Sequence, residues 1–163
     1  MAKRKGGVLN RRKSLIKSPI LNPITSRVMS DAEFARLHLK APYFPYIGPG
    51  LPFENVLYKK MGELCPAYTG GCWSYHVLSN GAWYMAPDED GIYELTNWEG
   101  KRYPMSKDGA GLAVTQYLVN HLSWYYLEKG HNLARYAAIA HFDALQEYRR
   151  QHPDGEAIYW VLD

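Results

Sequence analysis

Two cysteines, six histidines and one run of three carboxylates are the residues here best suited to chemistry. The histidines are His38, His76, His121, His131, His141 and His152. None lies in a His-Glu-x-x-His helix or beside a Cys-x-x-Cys pair, the spacings that gather ligands on one face. Cys65 and Cys72 enclose a six-residue gap, which matches no common zinc spacing. Cys72 and His76 share a strand face, but residues four apart on a strand are roughly 13 Å apart. That exceeds the hydrogen-bond reach a thiol nucleophile needs from its base. Asp88, Glu89 and Asp90 could supply paired carboxylates, yet Pro-Asp-Glu-Asp-Gly is a turn-forming run whose acids are normally solvated. Gly70-Gly71 precedes a strand rather than a helix, so it makes no phosphate cradle. The expectation is a protein that is not an enzyme, with no catalytic residue, no cofactor and no metal.

Binding is the remaining class of function, and charge is its first guide. Residues 1–18 hold seven positive charges and no acid, including Lys3, Arg4, Lys5, Arg11, Arg12 and Lys13. The rest of the chain carries 12 basic and 16 acidic residues. Residues 1–24 are rich in Lys, Arg, Gly, Ser and Pro, and their composition predicts a disordered basic arm. Such an arm can touch nucleic acid or an acidic partner, or can simply keep the protein in solution. The body is only mildly acidic, which argues against mimicry of DNA by a dense anionic face. No run of about 18 apolar residues exists, so no membrane span is expected. The N-terminus lacks the apolar stretch of a secretory signal. Two cysteines outside any scaffold pattern fit a reduced, cytoplasmic protein.

The elements that position these residues centre on Tyr68 to Asp90. Trp73, Tyr75 and Val77 alternate with Cys72, Ser74 and His76, the period of a strand with one buried face. Ser79-Asn80-Gly81 then supplies a tight turn, since Asn-Gly tolerates the positive φ it requires. Ala82 to Ala86 returns as an aromatic strand, ended by Pro87. Ser30-x-x-Glu33 predicts a capped helix over Asp31 to about Leu39. Tyr43, Phe44 and Tyr46 are expected to dock on the body. Phe53 to Leu64 has helical apolar spacing, and Cys65-Pro66 ends it. Ile92 to Thr96 predicts a third strand, and Lys101 to Tyr103 a short edge strand stopped by Pro104. Ser106 caps a helix from Lys107 to about Lys129, with Leu112, Leu118, Leu122 and Tyr125 on a stripe broadened by Tyr117 and Trp124. Gly109 and Gly111 would let that helix approach a sheet closely. Gly130 stops it. Asn132 caps a further helix to about Gln151, whose stripe takes in Leu133, Tyr136, Ala137, Ala140 and Ala144. Glu156 to Leu162 closes the chain, with Ile158, Tyr159 and Trp160 to bury. The predicted class is α+β: a small antiparallel sheet, the hairpin plus one or two strands, packed against several helices. It forms a single domain over residues 25–163, preceded by the arm.

Tyr68, Gly70, Gly71 and Trp73, then Leu78-Ser79-Asn80-Gly81, then Tyr84-Met85-Ala86-Pro87-Asp88, resemble the central motif of the ArdB/KlcA antirestriction proteins. Asp108, Ala110-Gly111 and Thr115 are similar to that family's helix start. Gln151-His152-Pro153, Ala157-Ile158-Tyr159 and Asp163 are similar to its closing segment. Trp83 stands where the family pattern has Phe or a similar aromatic. The likeness runs over about residues 53–163. It implies a protein of plasmids, phages or other mobile elements that protects incoming DNA from host type I restriction–modification enzymes. The implied partner is the type I complex or a factor acting with it. The implied mode is interference with that complex rather than catalysis or acidic mimicry. The family supplies no site residues to carry over. Loops on a rigid sheet commonly bear function, so the hairpin tip (Ser79, Asn80, Gly81) and the acidic turn (Asp88, Glu89, Asp90) are the expected partner surface. The alternative is a nucleic-acid-binding accessory protein working through the basic arm. Subunit contacted and oligomeric state are left open.

Overall fold

The computed structural model describes residues 22–163. The arm residues Lys3, Arg4, Lys5, Arg11, Arg12 and Lys13 lie outside the described residues. The elements in chain order are β1 (Ser26–Val28), α1 (Asp31–Ala35), α2 (Leu37–Lys40), β2 (Tyr46–Gly48), β3 (Leu51–Pro52), α3 (Phe53–Leu64), β4 (Trp73–Leu78), β5 (Trp83–Pro87), β6 (Ile92–Thr96), β7 (Arg102–Ser106), α4 (Lys107–Lys129), α5 (Asn132–Gln151) and α6 (Gly155–Leu162). The class is the expected α+β.

Helix α4 is the axis of the packing. Every residue from Gly109 to Gln116 is buried, because β5 covers one side and α5 and α6 the others. Gly111 allows the approach to β5, since a Cβ there would stand 2.3 Å from the Met85 carbonyl oxygen. The Ser106 hydroxyl accepts from the Gly109 amide and caps the helix as expected. Gly130 ends it at φ +70°, a conformation that glycine adopts without a Cβ penalty. The expected β4–β5 hairpin forms, with Trp73 opposite Pro87 through Val77 opposite Trp83.

The sheet differs from expectation in its third strand. Ser26–Val28 pairs antiparallel with β4, in a segment too short and polar to announce itself as a strand. Ile92–Thr96 instead pairs with β7 in a separate two-stranded sheet. Strand β7 runs through Pro104 opposite Glu94. A two-stranded sheet has only edge strands, so a proline lacking its N–H is tolerated. Strand β4 is half-buried on both faces, with Leu78 alone fully buried. Phe34 and Phe44 pack on Tyr75 from one side, while His76 stacks on Tyr84.

Several helix expectations also shift. The predicted helix over residues 31–39 is two short helices broken at Arg36 (φ −102°, ψ 1°), although the Ser30–Glu33 capping box forms. Helices this short depend on tertiary contacts, which here set the break. Helix α5 buries Ala138, His141, Leu145 and Tyr148, one position round from the predicted stripe, and leaves Leu133 and Tyr136 exposed. Asn132 is its first residue rather than its cap. Tyr43 and Phe44 dock in the core, but Tyr46, Trp124, Tyr159 and Trp160 remain well exposed.

Candidate functional site at the two ends of the hairpin

The tip and the acidic turn sit at opposite ends of the β4–β5 hairpin. From Ala82 to Asp88 the strand rises roughly 20 Å. The two expected contact regions are therefore separate surfaces, not one patch.

The tip is anchored. The Ser79 hydroxyl accepts from the Thr25 amide at 3.0 Å, and the Ser79 amide donates to the Thr25 carbonyl at 3.0 Å. The Asn80 side-chain amide donates to the Ala144 carbonyl on α5 at 2.9 Å, and its oxygen accepts from the Ala82 amide at 3.2 Å. Gly81 takes φ +89° and closes the turn. Ser79, Asn80 and Gly81 thus join β1, the hairpin and α5.

The acidic turn is the freer end. Asp88, Glu89 and Asp90 are all exposed. Asp88 accepts from the Ser74 hydroxyl at 2.6 Å. Lys107 reaches across to the Asp88 carbonyl at 3.0 Å and to the Asp90 carboxylate at 2.7 Å. That contact draws the Asp90 carboxyl below its ordinary range and raises the Lys107 amine. Glu89 makes no ion pair among the described residues. Glu89 and Asp90 border a cleft of about 360 Å³ that also contacts Tyr68 and Tyr93. Ile92, 73% exposed, stands at its rim.

The candidate chemistry residues are scattered. Cys65 is buried and Cys72 exposed, and both are free thiols. Among the described residues, no three His, Cys, Asp or Glu side chains are grouped to hold a metal ion. His76 is half-buried, which lowers its basicity.

Two polar centres emerge that spacing alone did not expose. The first joins three elements. Tyr84 donates to Asp108 Oδ1 at 2.6 Å, and His152 Nε2–H donates to Asp108 Oδ2 at 2.8 Å. His152 Nδ1 accepts from the Asp154 amide at 3.0 Å, which fixes the tautomer. Ser26 Oγ lies 2.8 Å from the Tyr84 hydroxyl. Burial pushes the Asp108 carboxyl up, but the hydrogen bonds from His152 and Tyr84 outweigh it and hold the group below its ordinary value. The second centre is His141, which is buried. Tyr43 donates to its Nδ1 at 2.6 Å, and its Nε2–H donates to the Trp83 carbonyl at 2.6 Å. Desolvation lowers its pKa to about 4. Both centres knit helices to the hairpin and lie below the surface, so their geometry is that of struts rather than of a reaction site. Asp108 and His152 both sit in segments that resemble the antirestriction pattern, and Asp108 also stands in the first turn of α4, where the helix dipole favours a negative charge.

The antirestriction protein family model matches residues 66–163. Antirestriction protein KlcA of Escherichia coli is 34% identical over 146 residues, covering 88% of this chain and 97% of that protein. The chain belongs to the antirestriction protein family. A further relative, YafX of Escherichia coli strain K12, is uncharacterised and 33% identical over 134 residues, 78% of this chain and 82% of YafX. This antirestriction protein is also similar to a solved structure at TM-score 0.68 and 34% identity, over 87% of this chain and 96% of that one. That structure comes from work on KlcA and ArdB describing a novel fold and antirestriction activity against type I DNA restriction systems in vivo but not in vitro. No helix among the described residues is long and apolar enough to cross a membrane.

Proposed function

We propose that this protein shields the DNA of a mobile element from host type I restriction–modification enzymes by binding, without catalysis, to the restriction complex or to a factor that acts with it. The observation that carries this reading is the 34% identity maintained over nearly the whole length of the KlcA relative. The solved relatives' activity in vivo but not in vitro supports a target that includes something present in the cell. The charge of the body supports interference rather than DNA mimicry, since acids exceed bases by only four beyond residue 18. The cytoplasm of the bacterial host is then the place of action.

Within this reading, the acidic turn is the contact surface and the hairpin tip is its structural counterweight. Asp88, Glu89 and Asp90 offer exposed carboxylates beside an aromatic cleft, a fit for a basic partner patch. The deciding experiment compares plating of unmodified phage on cells with an active type I system, with and without this protein. A control strain lacks that system. A rise confined to the restricting strain supports the reading, and no rise from folded protein refutes it. Combined Asp88→Lys, Glu89→Lys and Asp90→Lys should abolish protection and leave the unfolding midpoint nearly unchanged.

The dense positive charge of residues 1–18 favours a second reading, nucleic-acid contact through the arm. Phosphate contacts release counterions, so such binding should fall steeply with salt and disappear when residues 1–21 are removed. Protection that survives the same truncation separates the two readings.

A further inference from the structure

A cleft of about 230 Å³ opens between α4, α5 and α6, on the far side of α4 from the hairpin. At its base lies Gln116, which is fully buried. Neither its side-chain nitrogen nor its oxygen has a hydrogen-bond partner among the described residues. Burying an amide without partners is costly, so such a group calls for an explanation. The burial is not forced by chain geometry, because Leu or Met would fill the same space on a helix with better propensity.

The walls are as specific as the floor. Arg149 is partly buried, which lowers its pKa, and its guanidinium forms no ion pair among the described residues. It lies over the Tyr159 ring at 5.3 Å. Phe142 adds a second aromatic wall, and Asn120 and Gln146 bring two more amides. Asp163 brings negative charge to the same cleft. Three amides, a guanidinium and a carboxylate between aromatic faces suit a neutral, planar ligand whose edge alternates donors and acceptors. A strongly anionic ligand would meet Asp163, and a purely apolar one would leave Gln116 unpaired. Side-chain amides pair bidentately with purine edges, and aromatic rings stack on base faces.

We propose that this cleft is a binding site for a purine-type nucleobase, with the Gln116 amide reading its hydrogen-bonding edge and Phe142 and Tyr159 flanking its plane. The Gln116 amide is sealed from solvent, so access requires a side chain lining the cleft to move. The site lies apart from the acidic turn and does not depend on the restriction reading.

The test uses the full chain with guanosine, adenosine, cytidine and uridine at millimolar concentration, read by amide-resolved NMR and by thermal shift. A purine nucleoside should move the Gln116 side-chain amide signals and raise the melting temperature, more than either pyrimidine does. Gln116→Leu should weaken that nucleoside's binding about tenfold or more, while the ligand-free variant melts higher than the parent. Asn120→Ala, at an exposed position, should weaken binding without altering the fold and serves if Gln116→Leu does not fold. Absence of binding by all four nucleosides overturns the proposal, as does equal binding to Gln116→Leu. A free dipeptide that binds where nucleosides do not assigns the cleft to another ligand class and overturns it too.

Discussion

Replacing Gly111 by Ala tests how α4 is seated on the hairpin. An added methyl would stand 2.3 Å from the Met85 carbonyl oxygen, 2.5 Å from Ala86 Cα and 2.7 Å from Ala86 Cβ. All three are backbone or backbone-fixed atoms, so relief requires moving β5 or the helix itself. Overpacking of this kind costs about 1–3 kcal/mol, and more where backbone must shift. Alanine returns about 1 kcal/mol of helix propensity. The net loss should be about 2 kcal/mol or more, which lowers the melting temperature by about 4–8 °C in a domain of this size. Gly62→Ala is the matched control. Gly62 lies in α3, and a methyl added there would have nothing within 4 Å, so the same substitution should stabilise by about 0.5–1 kcal/mol. Urea unfolding of both variants at one pH gives the comparison, with the slope checked for constancy. Equal stability of the two variants would refute the reasoning, because it would mean that α4 and β5 are not in contact at Gly111.

His141 should make the fold acid-sensitive. Its folded pKa of about 4 lies below the ordinary value of 6.5, so the unfolded chain binds the proton first as pH falls. Stability present above pH 6.5 is therefore lost between 6.5 and about 4, by about 3 kcal/mol in total. His141→Phe should flatten that part of the stability curve while lowering stability at neutral pH, and an unchanged slope from pH 6.5 to 4 would count against the assignment. Asn80→Ala removes the bonds to Ala144 and Ala82. It should cost about 1 kcal/mol by chemical denaturation and reduce phage protection only in step with that loss; a complete loss of protection at full stability would make the tip a contact surface after all.

What the sequence made legible follows from the range of the interactions involved. The hairpin, α3 and α4 are fixed by local signals: the Asn80-Gly81 turn, the Cys65-Pro66 stop, the Ser106 cap and the Gly130 terminator. Each acts within a few residues of itself, and each appears where expected. The misplaced third strand is a long-range event. Strand β1 has three residues, and it pairs with β4 about 50 residues later because the β4 edge is free and Ile24 and Met29 find apolar contacts. Nothing in Ser26-Arg27-Val28 distinguishes it from a loop. The α5 stripe shifted for a similar reason. Ala137, Ala140 and Ala144 have helical spacing, but His141 is drawn inward by Tyr43 and the Trp83 carbonyl, and the helix rotates to bury it. For the candidate site, charge and turn composition located the acidic turn correctly at the surface. They could not reveal that Asn80 is spent on α5, nor that Gln116 lies unpaired beneath the α5–α6 cleft, since both depend on partners far along the chain.

The start of the folded body can be placed more sharply than composition allows, and a truncation pair tests it. Gln151 on α5 accepts from the Ile24 amide at 3.0 Å and donates to the Ile24 carbonyl. Met29 donates to the Tyr75 carbonyl at 2.8 Å, and Ser26 meets the Tyr84 hydroxyl that in turn holds Asp108. Residues 24–29 therefore tie the sheet to the end of the helical layer where the start of α4 meets the end of α5. Removing residues 1–21 severs none of these contacts and should leave stability unchanged within about 0.5 kcal/mol. Removing residues 1–29 deletes β1, opens the β4 edge and uncovers Gln151 and Tyr84. Each lost hydrogen bond costs about 1 kcal/mol, and each lost apolar side chain, Ile24 and Met29, costs less than the roughly 1.5–3 kcal/mol of full burial because both are partly buried. Several kcal/mol is a large share of the roughly 5–15 kcal/mol that holds a typical domain together. The shorter protein should unfold at markedly lower urea concentration and, with a bare strand edge, associate on standing. If it instead keeps the parent's midpoint and stays monodisperse, β1 is an ornament of the sheet, and the Ser26–Tyr84–Asp108–His152 chain is held from the helical side alone.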